Sequence, residues 1–354
     1  MCIFYTSLFF VSNLLPNMKK ILSLLLLLSC TVVKAQLLSW SPDFIKESTV
    51  NNTITMDATF GNKAMAGYSS SVYVHIGVIT SLSSSSSDWK YVKFTWGTAD
   101  GNALCTSLGS SKWKFTIASN LRTYFGITNA AETIKKIAIL FRSADGNIVQ
   151  RNADGSDMYV PVYDNGVYAR IDVPYKQPLY VPKPEPIVKN IGDPLTITAK
   201  SSVAGTLKIL FNGVQLGSTS ATSLTVNTTI TAGDVQQIIA EATSGSTNRD
   251  TLTFLVPKAN TVADLPAGTV DGINYEAGDT SAVLVLYAPY KKNIIVIGDF
   301  NNWAQSTKYQ MNITPDGNRY WLRITGLTPG TEYAYQYVID GTLTVADYNC
   351  EKIL

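Results

Sequence analysis

The chain has 354 residues, of which 45% are hydrophobic and 15% are charged, whereas soluble proteins average about 25% charged residues. It carries 28 Lys and Arg against 26 Asp and Glu, so no basic surface is predicted for nucleic acid. One histidine and four cysteines are too few for a His/Cys zinc cluster. A Ser–His–Asp or Cys–His nucleophile would have to use His75. The composition therefore argues against most catalytic chemistry and predicts neither a metal nor a cofactor.

Residues 1–35 are predicted to be a secretory signal peptide with an upstream extension. Lys19 and Lys20 precede a short apolar run, and Ala35 is the small residue expected at a cleavage point. The same stretch also fits a lipobox in which Cys30 would carry a lipid anchor. We favour soluble export, and both interpretations predict a secreted, periplasmic or cell-surface protein.

The rest of the sequence has the pattern of a β protein. Runs of roughly five to nine residues rich in Val, Ile, Tyr, Phe and Thr are separated by Asp-Gly and Asn-Gly turns. Short strands at this spacing are typical of β-sandwiches. We therefore predict an all-β chain with three β-sandwich domains, immunoglobulin-like or early-set, in tandem after the signal peptide.

Proline placement divides the chain. Five prolines fall between residues 174 and 186, and such a density favours an extended, semi-rigid spacer. The predicted segments are a first sandwich at 36–176, a linker at 177–186, an immunoglobulin-like sandwich at 187–257 and an early-set domain at 263–354. The middle segment offers little chemistry and is predicted to be a spacer.

Two runs in the first segment predict an aromatic surface. Successive side chains of a strand point to opposite faces, so in residues 71–80 the valines and Ile76 would share the core face while Tyr73 and His75 share the other. In the run 89–96, the same alternation places Val92, Phe94 and Trp96 inward. It places Trp89 and Tyr91 outward, with Lys93 and Thr95.

If these two runs are neighbours, the four outward rings form one face with polar edges. Sugars fit such a surface, because their C–H faces stack on aromatic rings while their hydroxyls need donors and acceptors. The alternative is that Trp89 and Tyr91 pack under a loop and that His75 satisfies a backbone group. Trp113 alternates with Phe115 and is predicted to lie in the core.

These residues resemble starch-binding modules of families 25 and 26. The resemblance lies in Val-Tyr-Val-His at 72–75, in the Asp-Trp pair ending at Trp89, and in the segments 141–146 and 151–155. It implies that His75 and Trp89 belong to a glucan platform. Those modules often have a further tryptophan before the Asn-rich turn, where this chain has Val-Gln-Arg.

The third segment carries a more specific motif. Gly-Asp-Phe-Asn-Asn-Trp at 298–303, followed by Tyr-Val-Ile-Asp-Gly at 337–341, resembles carbohydrate-binding module family 48. That family precedes the barrel of isoamylases, pullulanases and branching enzymes of glycoside hydrolase family 13. The resemblance implies that Trp303 contacts glucan, but Leu343 and Gln336 stand where other contacts are expected. A structural collar and a binding role both remain open.

The combined prediction is a non-catalytic accessory region that binds α-glucan, meaning starch, glycogen or maltooligosaccharides, and acts beside a downstream family 13 barrel. The candidate sugar-binding residues are Tyr73, His75, Trp89, Tyr91 and Trp303, with no catalytic residue on this chain. The main alternative is a structural or adhesive cell-surface protein that does not bind sugar. An active hydrolase is disfavoured because family 13 catalysis needs a barrel of some 250 residues.

Overall fold

The computed structural model of the protein describes residues 36–176, 186–350 and 352. In this part of the chain, six antiparallel sheets pack around three large hydrophobic cores, and a small fourth cluster contains Ile79, Ala138 and Tyr159. The predicted all-β class, built from tandem β-sandwiches, is thereby confirmed. The predicted signal peptide, and the linker up to residue 185, lie outside the described residues.

The first sandwich contains β1 to β8. Their bounds are Leu38–Ser41, Asn52–Asp57, Tyr73–Thr80, Thr106–Gly109, Lys112–Ile117, Ile134–Arg142, Val149–Gln150 and Met158–Pro161. One sheet has the order β1-β2-β5-β4, and the other has the order β3-β6-β7, with β8 also paired to β6. A short helix α1, Leu121–Phe125, follows β5; it is capped by the Asn120 side chain and ends at Gly126 in the left-handed conformation.

The second sandwich contains β9 to β15. Their bounds are Ala169–Val173, Pro194–Ser201, Thr206–Phe211, Val214–Thr219, Ser223–Thr229, Asp234–Ser244 and Ser246–Val256. The sheet β13-β10-β9 faces the sheet β12-β11-β14-β15. Inward side chains of both sheets, such as Ile197 and Ile238, are fully buried in a single core.

The third sandwich contains β16 to β22. Their bounds are Gly272–Tyr275, Ser281–Tyr287, Ile294–Gly298, Asn312–Ile313, Arg319–Thr325, Tyr335–Ile339 and Leu343–Val345. The two sheets are β16-β17-β20-β19 and β18-β21-β22. Beyond β22, the buried carboxylate of Asp347 accepts hydrogen bonds from the hydroxyls of Tyr335 and Tyr337, both at 2.8 Å. These bonds fasten the segment after β22 to the sheet.

The boundary between the first two sandwiches differs from the sequence prediction. The predicted first segment extends to residue 176, but β9 pairs with β10 of the second sandwich. Ala169 and Ile171 of β9 are buried in the second core. The position of Pro174 explains the misplacement, because the proline-rich stretch marks where β9 ends and not where the second sandwich begins.

An ionic cluster joins the first two sandwiches directly. Arg170 of β9 binds the backbone carbonyl and the carboxylate of Asp43 in the first sandwich, and its Nε donates to Asp172 at 2.6 Å. Lys200 of β10 donates to the other Asp43 oxygen at 2.6 Å. The guanidinium also lies 4.9 Å from the ring centroid of Phe44. The Arg170 and Asp172 side chains are only 17% and 3% exposed, whereas Asp43 is 44% exposed. The cluster is therefore buried on the side of the second sandwich and reaches the solvent at Asp43.

Replacing Arg170 with methionine is expected to lower the free energy of unfolding by about 2 kcal/mol, because it leaves the buried Asp172 carboxylate without its main partner. Urea denaturation would measure the change. Arg323→Met is the matched control, since the Arg323 side chain is 49% exposed in its ion pair with Glu276, and it should cost less than about 0.5 kcal/mol. Equal effects of the two substitutions would contradict the importance of the cluster.

Candidate functional site

The strand β3 has the two faces that its sequence predicts. Val74, Ile76 and Val78 are fully buried in the first core. Tyr73 and His75 lie on the opposite face and are partly exposed. On that face they neighbour Arg142 of β6, which lies directly opposite Tyr73 in the strand pairing.

The run 89–96 lies beside β3, as expected, but it is not a strand. Its backbone bonds to the free edge of β3 at two points, where Lys90 exchanges hydrogen bonds with Val78 and the amide of Lys93 donates to Ile76. Between them Tyr91 has a φ of +53°, which breaks the alternation of a strand. The predicted inward position is therefore confirmed for Phe94, which is buried, and is wrong for Val92 and Trp96, which are 43% and 42% exposed.

Trp89 lies against the outer face of the β3–β6 sheet. Its indole packs over Gly77, where an added Cβ would lie 3.5 Å from Trp89 Cε3 and 2.9 Å from the Lys90 carbonyl oxygen. The indole Nε1 donates to the hydroxyl of Tyr159 on β8 at 3.2 Å. An added Cβ would be too close to the Lys90 carbonyl oxygen, so glycine at position 77 lets the backbone at residue 90 approach β3.

Five rings, including that of Trp89, lie along this face, and we call them the aromatic row. Its members are Tyr159, Trp89, His75, Trp96 and Tyr73. The His75 ring is stacked with Trp89, at 5.8 Å between centroids and 26° between planes. It meets Trp96 edge-on, at 5.1 Å and 81°. The structure thus brings Trp89 and the single imidazole together, as the sequence predicts, and adds Trp96 and Tyr159.

Arg142 fixes the Trp96 end of the aromatic row. Its guanidinium lies 5.7 Å from the ring centroid of Trp96 and 5.9 Å from that of Tyr73. The side chain is fully buried, and it donates to four backbone carbonyls, those of Thr95, Thr98, Ser143 and Ala144. Trp96 also packs on Gly146, where a Cβ would lie 2.5 Å from the indole Nε1. These contacts hold a half-exposed indole in one position.

Tyr91 is partly exposed but points to a different part of the molecule. Its hydroxyl donates to Glu132 at 2.6 Å, and the other oxygen of that buried carboxylate accepts from the Thr80 hydroxyl. The hydrogen bond to Glu132 raises the pKa of Tyr91. Thr80 lies five residues along β3 from His75, roughly 16 Å at the rise of a strand. Tyr91 therefore lies outside the aromatic row.

The imidazole of His75 is shielded within the row. Burial lowers its pKa from 6.5, and the positive charge of Arg142 lowers it further. The Nδ1 atom is buried and has no hydrogen-bond partner among the described residues. The ring is therefore neutral at neutral pH, and it can contribute an uncharged face to a ligand.

This environment predicts a pH dependence of stability. The unfolded chain binds a proton at His75 near pH 6.5 while the folded chain resists it, so the free energy of unfolding falls as the pH drops below that value. His75 is the only histidine of the chain. In urea titrations at about pH 7 and about pH 5, the loss should be smaller in His75→Gln than in the wild type. Equal losses in both proteins would contradict the shielding of this group.

Trp303 lies in the third sandwich, in the tight turn that its motif predicts. A 3₁₀ turn at Asp299–Asn301 follows β18, and Trp303 itself has a φ of +58°. Its amide donates to Gly298 at 2.9 Å and its indole Nε1 donates to Asp299 at 2.9 Å. The side chain is 41% exposed, so the turn holds the ring at the surface with its polar atom already satisfied.

The acidic residues of the first sandwich do not assemble into a metal site in the part of the chain that the structure describes. No three side chains of His, Cys, Asp or Glu come together there in a way that could hold a metal ion. In the segment 152–157, Asp154 caps the amide of Ser156, and Asp157 pairs with Arg151. Two turns therefore account for these acidic residues. Within the described ranges, no helix is long and apolar enough to cross a bilayer.

No protein-family model matches the sequence, and no curated protein matches it. Solved structures with similarity include the Group B Streptococcus pullulanase SAP in complex with maltotetraose (12% identity, TM-score 0.19, 46% of this chain and 23% of that chain). A Bacillus subtilis pullulanase complexed with maltose has 16% identity and a TM-score of 0.18, over 45% and 24% of the two chains. A marsupial T cell receptor has 9% identity and a TM-score of 0.24, over 85% and 96%. The chain thus spans about a quarter of the pullulanases' length. Similarity at these TM-scores carries no argument about function.

Proposed function

We propose that the aromatic row is a binding surface for an α-glucan chain, and that this protein is a non-catalytic accessory region that holds starch-like polysaccharide. The observation that carries the proposal is the contact of His75 with two tryptophans on an outer sheet face. A neutral imidazole stacked on Trp89 and edge-on to a half-exposed Trp96 forms a wide apolar surface of the kind that stacks on sugar rings.

The choice of α-glucan rests on the sequence motifs around His75 and Trp89. In the same proposal, the chain is exported and works beside a family 13 catalytic barrel, where tethering to the polymer would raise the local substrate concentration. Binding at a single shallow site should be weak, because much of the sugar stays in contact with water. Effective retention on the polymer would then depend on the link to a catalytic domain or on a second binding site.

The fixed junction between the first two sandwiches supports a second candidate, a structural or adhesive surface protein. The Arg170 cluster would serve a spacer whose sandwiches keep their mutual orientation. Retention on starch separates the two candidates, because a pure spacer needs no affinity for sugar.

The test is retention on insoluble starch and retardation in native gels that contain amylopectin. Trp96→Ala is expected to weaken binding about tenfold, or about 1.4 kcal/mol, because the half-exposed indole offers the most accessible stacking surface of the row. Tyr290→Ala is the control, since Tyr290 is a 98% exposed aromatic residue outside the row. No release of reducing sugar is expected from any of these proteins.

Two results would contradict the proposal. The wild-type protein would fail to bind starch, or Trp96→Ala would bind as strongly as the Tyr290→Ala control. The first result would favour the structural candidate. The second would move the binding surface to another part of the chain.

A further inference from the structure

An ion pair of the first sandwich lies beside the aromatic row. Arg151 immediately follows β7 and Asp157 immediately precedes β8, and the guanidinium of Arg151 donates to the Asp157 carboxylate. Both strands pair with the same edge of β6, β7 at residues 141–142 and β8 at residues 136–139. The loop that joins them therefore spans the gap at Leu140, which lies between the two pairings.

The strand register places this loop at the level of His75. Leu140 lies directly opposite His75 in the pairing of β6 with β3, and the loop lies one strand position further across the sheet. Neighbouring strands are about 4.8 Å apart, so the loop lies roughly 10 Å across the sheet from the His75 backbone. A long side chain on the outer face covers most of that distance.

Alternation places both side chains of the ion pair on that outer face. Met158 is buried in the first core, so Asp157 and Tyr159, on either side of it, project from the opposite face. On β7, Gln150 is fully buried and lies opposite a core residue of β6. The next side chain, that of Arg151, therefore also projects from the face that carries the aromatic row.

The charges of the ion pair act on two rings of the row. Burial and the positive charge of Arg142 lower the pKa of His75, and the negative charge of Asp157 partly opposes this shift. Burial raises the pKa of Tyr159, and there Asp157 and Arg151 act in opposite directions. These electrostatic interactions agree with the placement that the strand register gives.

The ion pair keeps donors and an acceptor for a ligand. Only Nη1 of Arg151 and one oxygen of Asp157 are engaged by their mutual contact. The other nitrogens of this guanidinium and the second carboxylate oxygen are accessible and have no hydrogen-bond partner on any residue that the structure describes. Two neighbouring hydroxyl groups match this arrangement, because each hydroxyl can accept from the guanidinium or donate to the carboxylate.

We propose that Arg151 and Asp157 bind the 2- and 3-hydroxyls of a glucose residue whose ring lies on the aromatic row. The ligand class rests on the proposed function of the row, whereas the position of the pair rests on the strand register. Chains linked α-1,4 or α-1,6 leave both hydroxyls free, but an α-1,3 linkage uses one of them. The site would therefore select glucans in which both hydroxyls are unsubstituted, because a polar site rejects a ligand that leaves its groups unpaired. Arg151 belongs to the segment that departs from the modules resembled by the sequence, so the pair is a feature of this chain.

The test is a calorimetric titration of the full chain with three cyclic α-1,4-glucans. They are β-cyclodextrin, its 2,3-di-O-methyl derivative and its 6-O-methyl derivative. The wild type is expected to bind the 2,3-methylated ring about tenfold more weakly than the unmodified ring, because methylation removes the two hydroxyl donors. Its affinity for the 6-methylated ring should stay within about twofold of that for the unmodified ring.

Two single substitutions test the residues themselves. Arg151→Met and Asp157→Ala should each reduce the tenfold preference to about twofold, mainly by weakening the binding of the unmodified ring. Lys112→Met is the control, since it removes a partly exposed ion pair with Asp57 on the other sheet of the first sandwich, and it should keep the full preference. Because the readout is a ratio of two affinities of one protein, a change in the folded fraction cancels.

The outcomes separate this inference from the proposed function. A wild type that binds the unmodified and the 2,3-methylated rings equally would overturn the inference and leave the aromatic row standing. A preference that persists in both Arg151→Met and Asp157→Ala would show that other groups contact these hydroxyls, which also overturns it. If none of the three cyclodextrins binds, the row itself is wrong and the inference fails with it.

Discussion

Replacing Trp89 with alanine should abolish retention on starch and lower the free energy of unfolding by about 3 kcal/mol. The binding loss should reach about 100-fold, or about 2.7 kcal/mol, because the substitution removes the ring on which His75 is stacked. The stability loss follows from the packing of the indole over Gly77 and its hydrogen bond to Tyr159. Starch affinity gels and urea denaturation would measure the two effects separately.

Tyr91→Phe is the control for this experiment. Tyr91 is close to Trp89 in the sequence, but its hydroxyl contacts Glu132 outside the aromatic row. Its removal should lower the free energy of unfolding only slightly, because the hydroxyl lies at the surface, and should leave starch affinity unchanged. If Tyr91→Phe lost retention while Trp89→Ala kept it, the location assigned to the sugar surface would be wrong.

Replacing Arg142 with methionine is expected to lower the free energy of unfolding by about 3 kcal/mol. In the proposed site this residue supports the row from beneath and does not itself contact the ligand. The guanidinium is buried and donates to the carbonyls of four residues in two loops. Removing it leaves those carbonyls without their charged donor. Because the same group underlies the Trp96 ring, starch affinity should also fall, by about fivefold.

Two further substitutions sharpen this prediction. Arg142→Lys keeps the charge but lacks the planar fork that reaches four acceptors, so its stability should lie between those of the wild type and Arg142→Met. Arg249→Met removes an arginine whose side chain is 64% exposed in an ion pair with Glu241 and should change stability by less than about 0.5 kcal/mol. A ranking in which Arg249→Met is the more harmful would contradict the role given to Arg142.

Alternation within single strands was enough to predict several features of the structure. The period of two in residues 71–80 placed Val74, Ile76 and Val78 in the core and His75 on the other face, and both placements are confirmed. Trp113 is buried in the first core, as predicted from its alternation with Phe115. These assignments need only local geometry, because a strand buried on one face fixes the direction of each side chain.

The composition of the aromatic row could not be predicted in the same way. The alternating pattern of residues 89–96 predicts a strand with Trp96 in the core, but the positive φ of Tyr91 is not readable from an alternating run. Tyr159 joins Trp89 across 70 positions of sequence, and nothing local connects them. Arginine is rarely buried unless it is paired, so the local sequence does not indicate that Arg142 lies beneath the row.

The position of β9 shows a similar limit. Its residues read as the last strand of the first segment, because the prolines follow it. Its pairing with β10 is a contact between separate segments that the local pattern does not specify. A signal was present in Arg170 and Asp172, two charged residues within a short apolar run, but only the structure shows their partners Asp43 and Lys200.

The ionic cluster around Arg170 also affects how a long polymer would be held. Because β9 is an integral strand of one sandwich and is clamped to its neighbour, the platform carrying Trp96 cannot swivel freely on a tether. The first sandwich loses its freedom to rotate relative to the second when the chain folds. Binding of a polysaccharide then carries no further entropy cost for ordering the two sandwiches. A glucan bound to the proposed surface would therefore meet rings in a fixed orientation. Selectivity would then depend on the pitch of the glucan helix as well as on the chemistry of its sugar rings.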